Sequence, residues 1–274
     1  MRGRRVMVTA IRCPGGEITT DVRSLANIYT SRMRNTPLLR GIIVLIEALV
    51  LGIKVLLYSA NVALEEEDEE ISGGMVWIIV TVSLALAVAL FFMVPLFLTR
   101  LLNIESSIVF NLVDGGIRIA IFILYLWLVA LVPDIKRVFA YHGAEHKTVN
   151  AYEAGVPLEV EAVREYKTAH VRCGTSFLFA VLLIAILVFA LVGLPSLWLM
   201  VLSRVLLIPV IAALGYEVTY FGANHTGNAF VRMIVAPGLW LQALTTREPD
   251  DRQLEVALSA LRKAVEVDRL DEAA

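Results

Sequence analysis

The stretch 71-ISGGMVWIIVTVSLALAVALFFMVPLFLT-99 carries no charged residue, and its reading decides the fold. About 20 residues at 1.5 Å each cross a ~30 Å hydrocarbon core, so an apolar run of this length predicts a membrane-spanning helix. A second uncharged run, 173–203, predicts another. Two weaker candidates follow: residues 117–134, with 15 uncharged positions between Arg118 and Asp134, and residues 205–216, which run apolar until Glu217. The 274-residue chain is 58% hydrophobic with a mean hydropathy of +0.74, which excludes an ordinary soluble domain. The opening MRGRRVMVTAIR has positive charge but no apolar core, so no cleavable signal peptide is expected. Cys13 and Cys173 lie far apart, which argues against a disulfide framework and suits a reducing compartment.

The segment 38-LLRGIIVLIEALVLGIKVLLYSAN-61 is long enough to span, yet Arg40, Glu47, Lys54 and Asn61 recur every seven residues. On a helix that spacing drifts by only ~20° per heptad and makes one polar stripe, which predicts an amphipathic or re-entrant helix. Charge counting agrees. With spans at 76–98, 117–134, 177–202 and 204–223, nine Lys/Arg precede the first span, six lie in the 135–176 loop and six in the tail. All twenty-one then share one side, leaving Arg100, Arg118 and Arg204 opposite. Lys and Arg favour the cytoplasmic side, so both termini and the 135–176 segment are expected inside.

The sequence 4-RRVMVTAIRCPGGEITTDV-22 predicts a β-hairpin around Pro14-Gly15-Gly16. The run 65-EEEDEE-70 predicts a solvated linker. In 250-DDRQLEVALSALRKAVEVD-268, Asp250 and Gln253 have capping-box spacing, and Leu254, Leu258, Leu261 and Val265 share a face. The expected fold is mainly α: a polytopic membrane protein with about four spanning helices, one amphipathic or re-entrant helix, a small N-terminal β-hairpin and a cytoplasmic helical layer. Its parts are a hairpin segment (1–37), the striped helix (38–61), the acidic linker (62–75), a first transmembrane hairpin (76–134), a cytoplasmic segment (135–176), a second transmembrane hairpin (177–223) and a cytoplasmic C-terminal segment (224–274). No internal repeat and no nucleic-acid signature is present.

The chemistry concentrates in 141-YHGAEHKTVNAYEAG-155, which holds two of the chain's four histidines. Pro133-Asp134 on one side and Gly155 with Pro157 on the other predict a helix between them. His142 and His146, four residues apart, then lie on one face and can reach a single metal ion. Glu145 borders that face. H-x-x-E-H is the inverted counterpart of the zincin helix: neutral imidazoles suit Zn²⁺, and a carboxylate that does not ligate can take the proton of a water. Gly143 either admits metal or substrate or lets a neighbour pack close. His170 and Cys173 form an H-x-x-C pair before an uncharged run. Glu217 is costly inside an apolar segment and needs a partner, either Arg204 or Arg232 or, as third ligand, the metal. Glu153 shares the histidine face but lies roughly 10 Å beyond His146, which makes it a supporting contact to His170 or an arginine. Glu47 is expected to pair with Lys54 or Arg40, and His225 to be a loop residue.

Four stretches, 136-KRVFAYHGAEHKTVNAYE-153, 170-HVRCGTSF-177, 204-RVLLIPVIAALGYEV-218 and 237-PGLWLQALTTREPDDRQLEVAL-258, closely resemble the YqhQ-like family of bacterial membrane proteins, described as predicted metal-dependent enzymes. The resemblance runs over nearly the whole chain and implies that His142, Glu145, His146, Glu153, His170, Cys173 and Glu217 occupy family motif positions, whereas His225 does not. Family chains usually carry a Gly-Gln-Ala-containing stretch ahead of the Met-Arg-Gly that opens this one, so a late start or a missing element is expected.

The functional expectation is a metal-dependent hydrolase at the cytoplasmic face of the cell membrane. His142 and His146 would ligate Zn²⁺ or another divalent transition metal, Glu217 or His170 would complete the shell, and Glu145 would activate water. Glu153 and Cys173 would support the ligands. The partners are membrane lipid and a membrane-associated peptide, protein or lipid substrate; nucleic acid is not one, and a homo-oligomer is compatible with the sequence. The competing expectation is a non-catalytic scaffold or assembly factor with a His/Glu network. A transporter, suggested by Pro195, Pro209 and Glu217, lacks the paired broken helices of inverted repeats.

Overall fold

The computed structural model describes residues 1–13, 15–64, 73–194, 196–225 and 227–273. The acidic run 65–70, expected as a linker, and Pro195 lie outside these residues. Strands β1 (Val6–Arg12) and β2 (Ile18–Ser24) form the expected antiparallel hairpin, in register from Val6↔Ser24 to Arg12↔Ile18. A short helix α1 (Asn27–Thr30) and a 3-10 turn (Arg32–Asn35) lead into α2 (Leu39–Leu64).

An apolar rod follows, made of α3 (Gly73–Val88), a π-helical turn (Ala89–Met93) and α4 (Val94–Arg100). Then come α5 (Ser107–Val129), α6 (Pro133–Glu153), α7 (Val160–Arg164), α8 (Gly174–Val192), α9 (Leu197–Leu206), α10 (Ile208–Asn224), α11 (Ala229–Thr245) and α12 (Asp251–Ala273). Among the described residues, four helices are long and apolar enough to cross a membrane: Leu39–Val62, Gly74–Arg100, Ser107–Val129 and Gly174–Val192. The pair α9 and α10, bent by 49°, would make a fifth.

Three expected spans have different bounds. The helix placed at 117–134 begins at Ser107 and ends at Val129, which brings Asp114 inside it and moves Arg118 from its edge to its middle. The long span at 177–202 is cut at Gly193, whose φ of +81° suits a residue without a Cβ and ends α8. The span at 204–223 is interrupted at Leu207, because Pro209 in the first turn of α10 cannot continue the preceding helix. The C-terminal segment, expected to contribute one amphipathic helix, contributes two. Its first, α11, is apolar, buries Val231, Gly238, Leu241, Gln242 and Thr245, and packs along α8.

Alternation along β1 joins two layers. Val6 and Val8 pack on Ala260 and Ala264 of α12, while Met7 faces the other way, toward Leu25, Tyr29 and Ile43 of α2. The capping box forms as expected: Gln253 N–H donates to Asp250 Oδ1 at 2.8 Å, and Asp250 N–H donates to Gln253 Oε1 at 2.9 Å. Leu254, Leu258 and Leu261 are buried and Val265 half-buried. Leu254 and Leu258 close on Ala144 and Ala151 of α6 and Val163 of α7.

The N-terminal segment covers α2 over much of its length. Ile43, Leu51 and Val55 join the Met7 cluster, Glu47 accepts from Arg2 and Arg34, and Tyr58 lies under Arg23. Glu47 therefore pairs across the layer rather than with Lys54 or Arg40. Beneath, Phe122, Leu126, Leu182 and Leu241 bring α5, α8 and α11 together. This arrangement sets α6 between the layer of the hairpin and α12 and the helix bundle.

Candidate metal centre

Helix α6 starts with Pro133 in its first turn, where a missing N–H costs nothing. It ends before Gly155 at φ +71°. The four-residue spacing places the rings of His142 and His146 with centroids 4.3 Å apart. Each ring is oriented by a main-chain carbonyl: His142 Nδ1–H donates to Thr245 O at 2.8 Å, and His146 Nδ1–H donates to Thr168 O at 2.6 Å. A carbonyl only accepts, so both Nδ1 atoms carry a proton, and in the neutral rings the Nε2 atoms keep their lone pairs, which become N–H donors when the rings are charged. This is how ligating histidines are usually held.

The third donor is Cys173. Its Sγ lies 3.3 Å from His142 Nε2. One ligand atom from each of His142, His146 and Cys173 falls within 4.8 Å of the others. Cys173 caps α8, accepting from Thr175 N–H at 3.4 Å, where the positive end of the helix favours a thiolate. Burial alone would push the thiol up. Donors on His142, His146 and Thr175 outweigh it and bring Cys173 down to about 5. Burial likewise opposes a charged His142, yet the Cys173 sulfur, the Thr245 carbonyl and the negative charge of Glu145 lift the imidazole above its ordinary value. Two imidazole nitrogens and a thiolate are a fitting set for Zn²⁺ and leave a fourth tetrahedral position for a substrate or solvent oxygen.

The other predicted residues fall elsewhere. Cys173, expected as support, stands among the donors. His170 does not: its Nε2 meets Glu153 at 3.3 Å, and its Nδ1 accepts from Arg172 N–H at 3.3 Å. Both its nitrogens are occupied, although its ring centroid is 5.9 Å from that of His146. Glu153 takes the expected supporting place, holding His170 and Arg172.

Glu217, expected as a ligand, faces the opposite way. Its carboxylate accepts from both Arg40 Nε and Nη2 and from Leu38 N–H, joining α10 to the start of α2. An isolated carboxylate in an apolar helix needs a partner, and Arg40 supplies it. Neither Arg204 nor Arg232 does. Glu145 is exposed and lines a cavity of about 920 Å³ between β1, α2, α6 and α12, with Asp134, Arg137, Tyr141 and Arg252. It is beside the histidines in sequence, but its helical face belongs to that cavity. His225 is an exposed loop residue, as expected, with Nδ1 bonded to Phe221 O.

Gly143 is explained by packing. A Cβ there would lie 2.1 Å from the carbonyl oxygen of Arg247, whose N–H donates to Phe139 O at 2.9 Å. The missing side chain lets segment 245–247 run against α6 and deliver the Thr245 carbonyl. Gln242, fully buried on α11, was not expected. It donates to His170 O and Ser176 Oγ and accepts from His170 N–H, clamping the 170–176 segment that carries Cys173. Buried Lys147 ties α6 to Arg164 O and Glu248.

A family model described as "Protein of unknown function (DUF1385)" matches residues 36–267. The chain is also similar to the uncharacterized protein YqhQ of Bacillus subtilis (strain 168), with 33% identity over 292 aligned positions that cover 98% of this chain and 90% of that protein. No solved structure matches it.

Proposed function

The chain belongs to the DUF1385 family of YqhQ-like proteins, and we propose that it is a metal-dependent hydrolase of the cell membrane, with its reactive centre at the cytoplasmic face. His142, His146 and Cys173 would hold a divalent transition metal, Zn²⁺ by the softness of the donor set. The observation that carries this reading is the gathering of one ligand atom from each of His142, His146 and Cys173 within 4.8 Å, with both Nδ1 atoms already held by the carbonyls of Thr168 and Thr245. When bound, the cation supplies a Lewis acid.

The chain's own residues do the rest. The two carbonyls fix the ring tautomers, and Thr175 and the start of α8 keep Cys173 ionised. Glu145 stands at the edge of the cavity, its charge already felt by His142, as the group that would take or return a proton. That cavity mixes apolar walls from Val55, Val62 and Val138 with the guanidiniums of Arg137 and Arg252. Such a lining suits an amphiphilic substrate: a membrane-associated peptide or a lipid head group. The positive charges on the hairpin, α6 and the tail support a cytoplasmic position for these parts. The contacts of α2 with the hairpin from Ile43 to Tyr58 favour a helix lying on the inner surface over one crossing it.

A second reading, a scaffold pinned by a structural metal, is favoured by one observation: the cavity that Glu145 lines has none of the three donors in its wall. Metal analysis of detergent-purified protein separates the readings when joined to profiling of membrane lipids and peptides from expressing cells. The hydrolase predicts bound metal in wild type and Glu145→Gln, loss in His146→Ala and Cys173→Ser, and accumulation of a membrane component with Glu145→Gln. Metal retained in Glu145→Gln with an unchanged profile selects the scaffold. No metal in wild type removes both.

A further inference from the structure

A second polar centre lies toward the other end of α8 from Cys173. Asp114 and Arg118 stand one turn apart on α5, Arg118 being the twelfth of its 23 residues, and Arg204 comes from α9. All three side chains are 1% exposed. Arg118 Nη2 lies 2.6 Å and Arg204 Nη2 3.5 Å from the same oxygen, Asp114 Oδ2. Arg204 also donates to Asn111 Oδ1 at 3.4 Å. The guanidinium faces are covered by rings, Arg118 over Phe92 and Phe189 and Arg204 over Phe189 at 4.0 Å.

What remains is unbalanced. Nε and Nη1 of both arginines are buried without a hydrogen-bond partner, as is Asp114 Oδ1. Water could satisfy those N–H groups, but it could not supply charge. Two cations share one anion in the middle of a helix bundle, where an unpaired charge is among the most unfavourable things to bury.

We propose that this cluster is a binding site for a small inorganic monoanion of halide size, which completes the charge balance. One negative charge is what the cluster lacks. Enclosure favours a small free ion over a lipid phosphate, because a phosphate tethered to acyl chains would require guanidiniums open to the lipid. Ser107, Asn111, Asp114 and Arg118, at helical spacing of one face, make a polar row on α5 from its half-exposed first turn to the buried centre. Ser107 Oγ is itself without a partner. The site is independent of the metal centre.

The test uses detergent-purified full-length protein at constant ionic strength. Chloride or bromide raises the unfolding midpoint saturably over gluconate and sulfate, and equilibrium dialysis with radiolabelled chloride finds about one bound ion per chain. Asn111→Asp puts an internal carboxylate where Asn111 Oδ1 already meets Arg204. Its midpoint becomes independent of the anion and its chloride retention falls at least about tenfold. Wild type that retains no chloride and melts alike in all four salts overturns the proposal, and this arm decides even if the variant does not fold. Chloride retained undiminished by Asn111→Asp overturns it as well. So does stabilisation by phosphatidylglycerol micelles without any halide effect, which would assign the charge to a lipid phosphate.

Discussion

Cys173 Sγ lies 3.3 Å from His142 Nε2, and each group moves the other's titration toward its charged form. The thiol falls from 9.0 to about 5, so the thiolate persists at neutral pH and is lost as pH drops through about 5. Its contribution to stability is complete above the unfolded value and disappears on acidification. In metal-free Cys13→Ser protein, the thiolate absorbance should therefore be near its plateau at neutral pH, and His142→Ala should move the midpoint upward. A midpoint like that of a free thiol in both proteins would refute the pairing.

Gly143→Ala should destabilise the protein by about 1–3 kcal/mol, because the added methyl meets a main-chain oxygen that cannot swing aside. The displaced segment carries the carbonyl that holds His142, so metal affinity should fall with stability. Thermal unfolding and metal titration of the same variant check both; normal metal affinity would separate the packing from the site.

Gln242→Ala leaves the buried N–H and carbonyl of His170 without their side-chain partner. A loss of about 2 kcal/mol or more is expected from those groups. Cys173 should become more readily alkylated as the 170–176 segment loosens. Unchanged alkylation kinetics would mean that α8, not Gln242, fixes the cysteine.

Glu217→Gln should keep its full metal content, since the carboxylate serves Arg40 and the Leu38 N–H. The cost falls on the contact between α2 and α10 and should appear as a lower unfolding midpoint. Loss of metal in this variant alone would restore Glu217 to the ligand set.

Cysteines introduced at positions 68 and 102 read the path of α2. With α2 on the inner surface, an impermeant thiol reagent applied to intact cells labels position 102 and spares position 68. Labelling at position 68 from outside would mean that α2 crosses.

The uncharged runs and the capping box were legible because hydropathy and helical periodicity act locally. The bounds of the spans were not, since the expected span began just before Arg118, and only its pairing with Asp114 lets α5 carry both charges. His142 and His146 announced themselves by spacing. Cys173 read only as a support for the ligands; that it caps α8 and lies against two imidazoles depends on a fold that no local pattern encodes. Glu217 advertised only that it needed a partner, and Arg40 stands 177 residues away in the chain. The carbonyls of Thr168 and Thr245 were beyond reading, because every residue has one. Gln242 left a faint sign, a long polar side chain in the apolar stretch 237-PGLWLQAL-244.

The 103-residue gap between His142 and the carbonyl that steadies it has a consequence for biosynthesis. As the ribosome extends the nascent chain, the H-x-x-E-H helix emerges well before α11, and its first histidine has no fixed tautomer until Thr245 arrives. On the proposed metal-binding reading, loading of a cation would wait until synthesis has passed residue 245. A fragment stopped ahead of residue 245 would display the motif intact and still lack a seat for one of its rings.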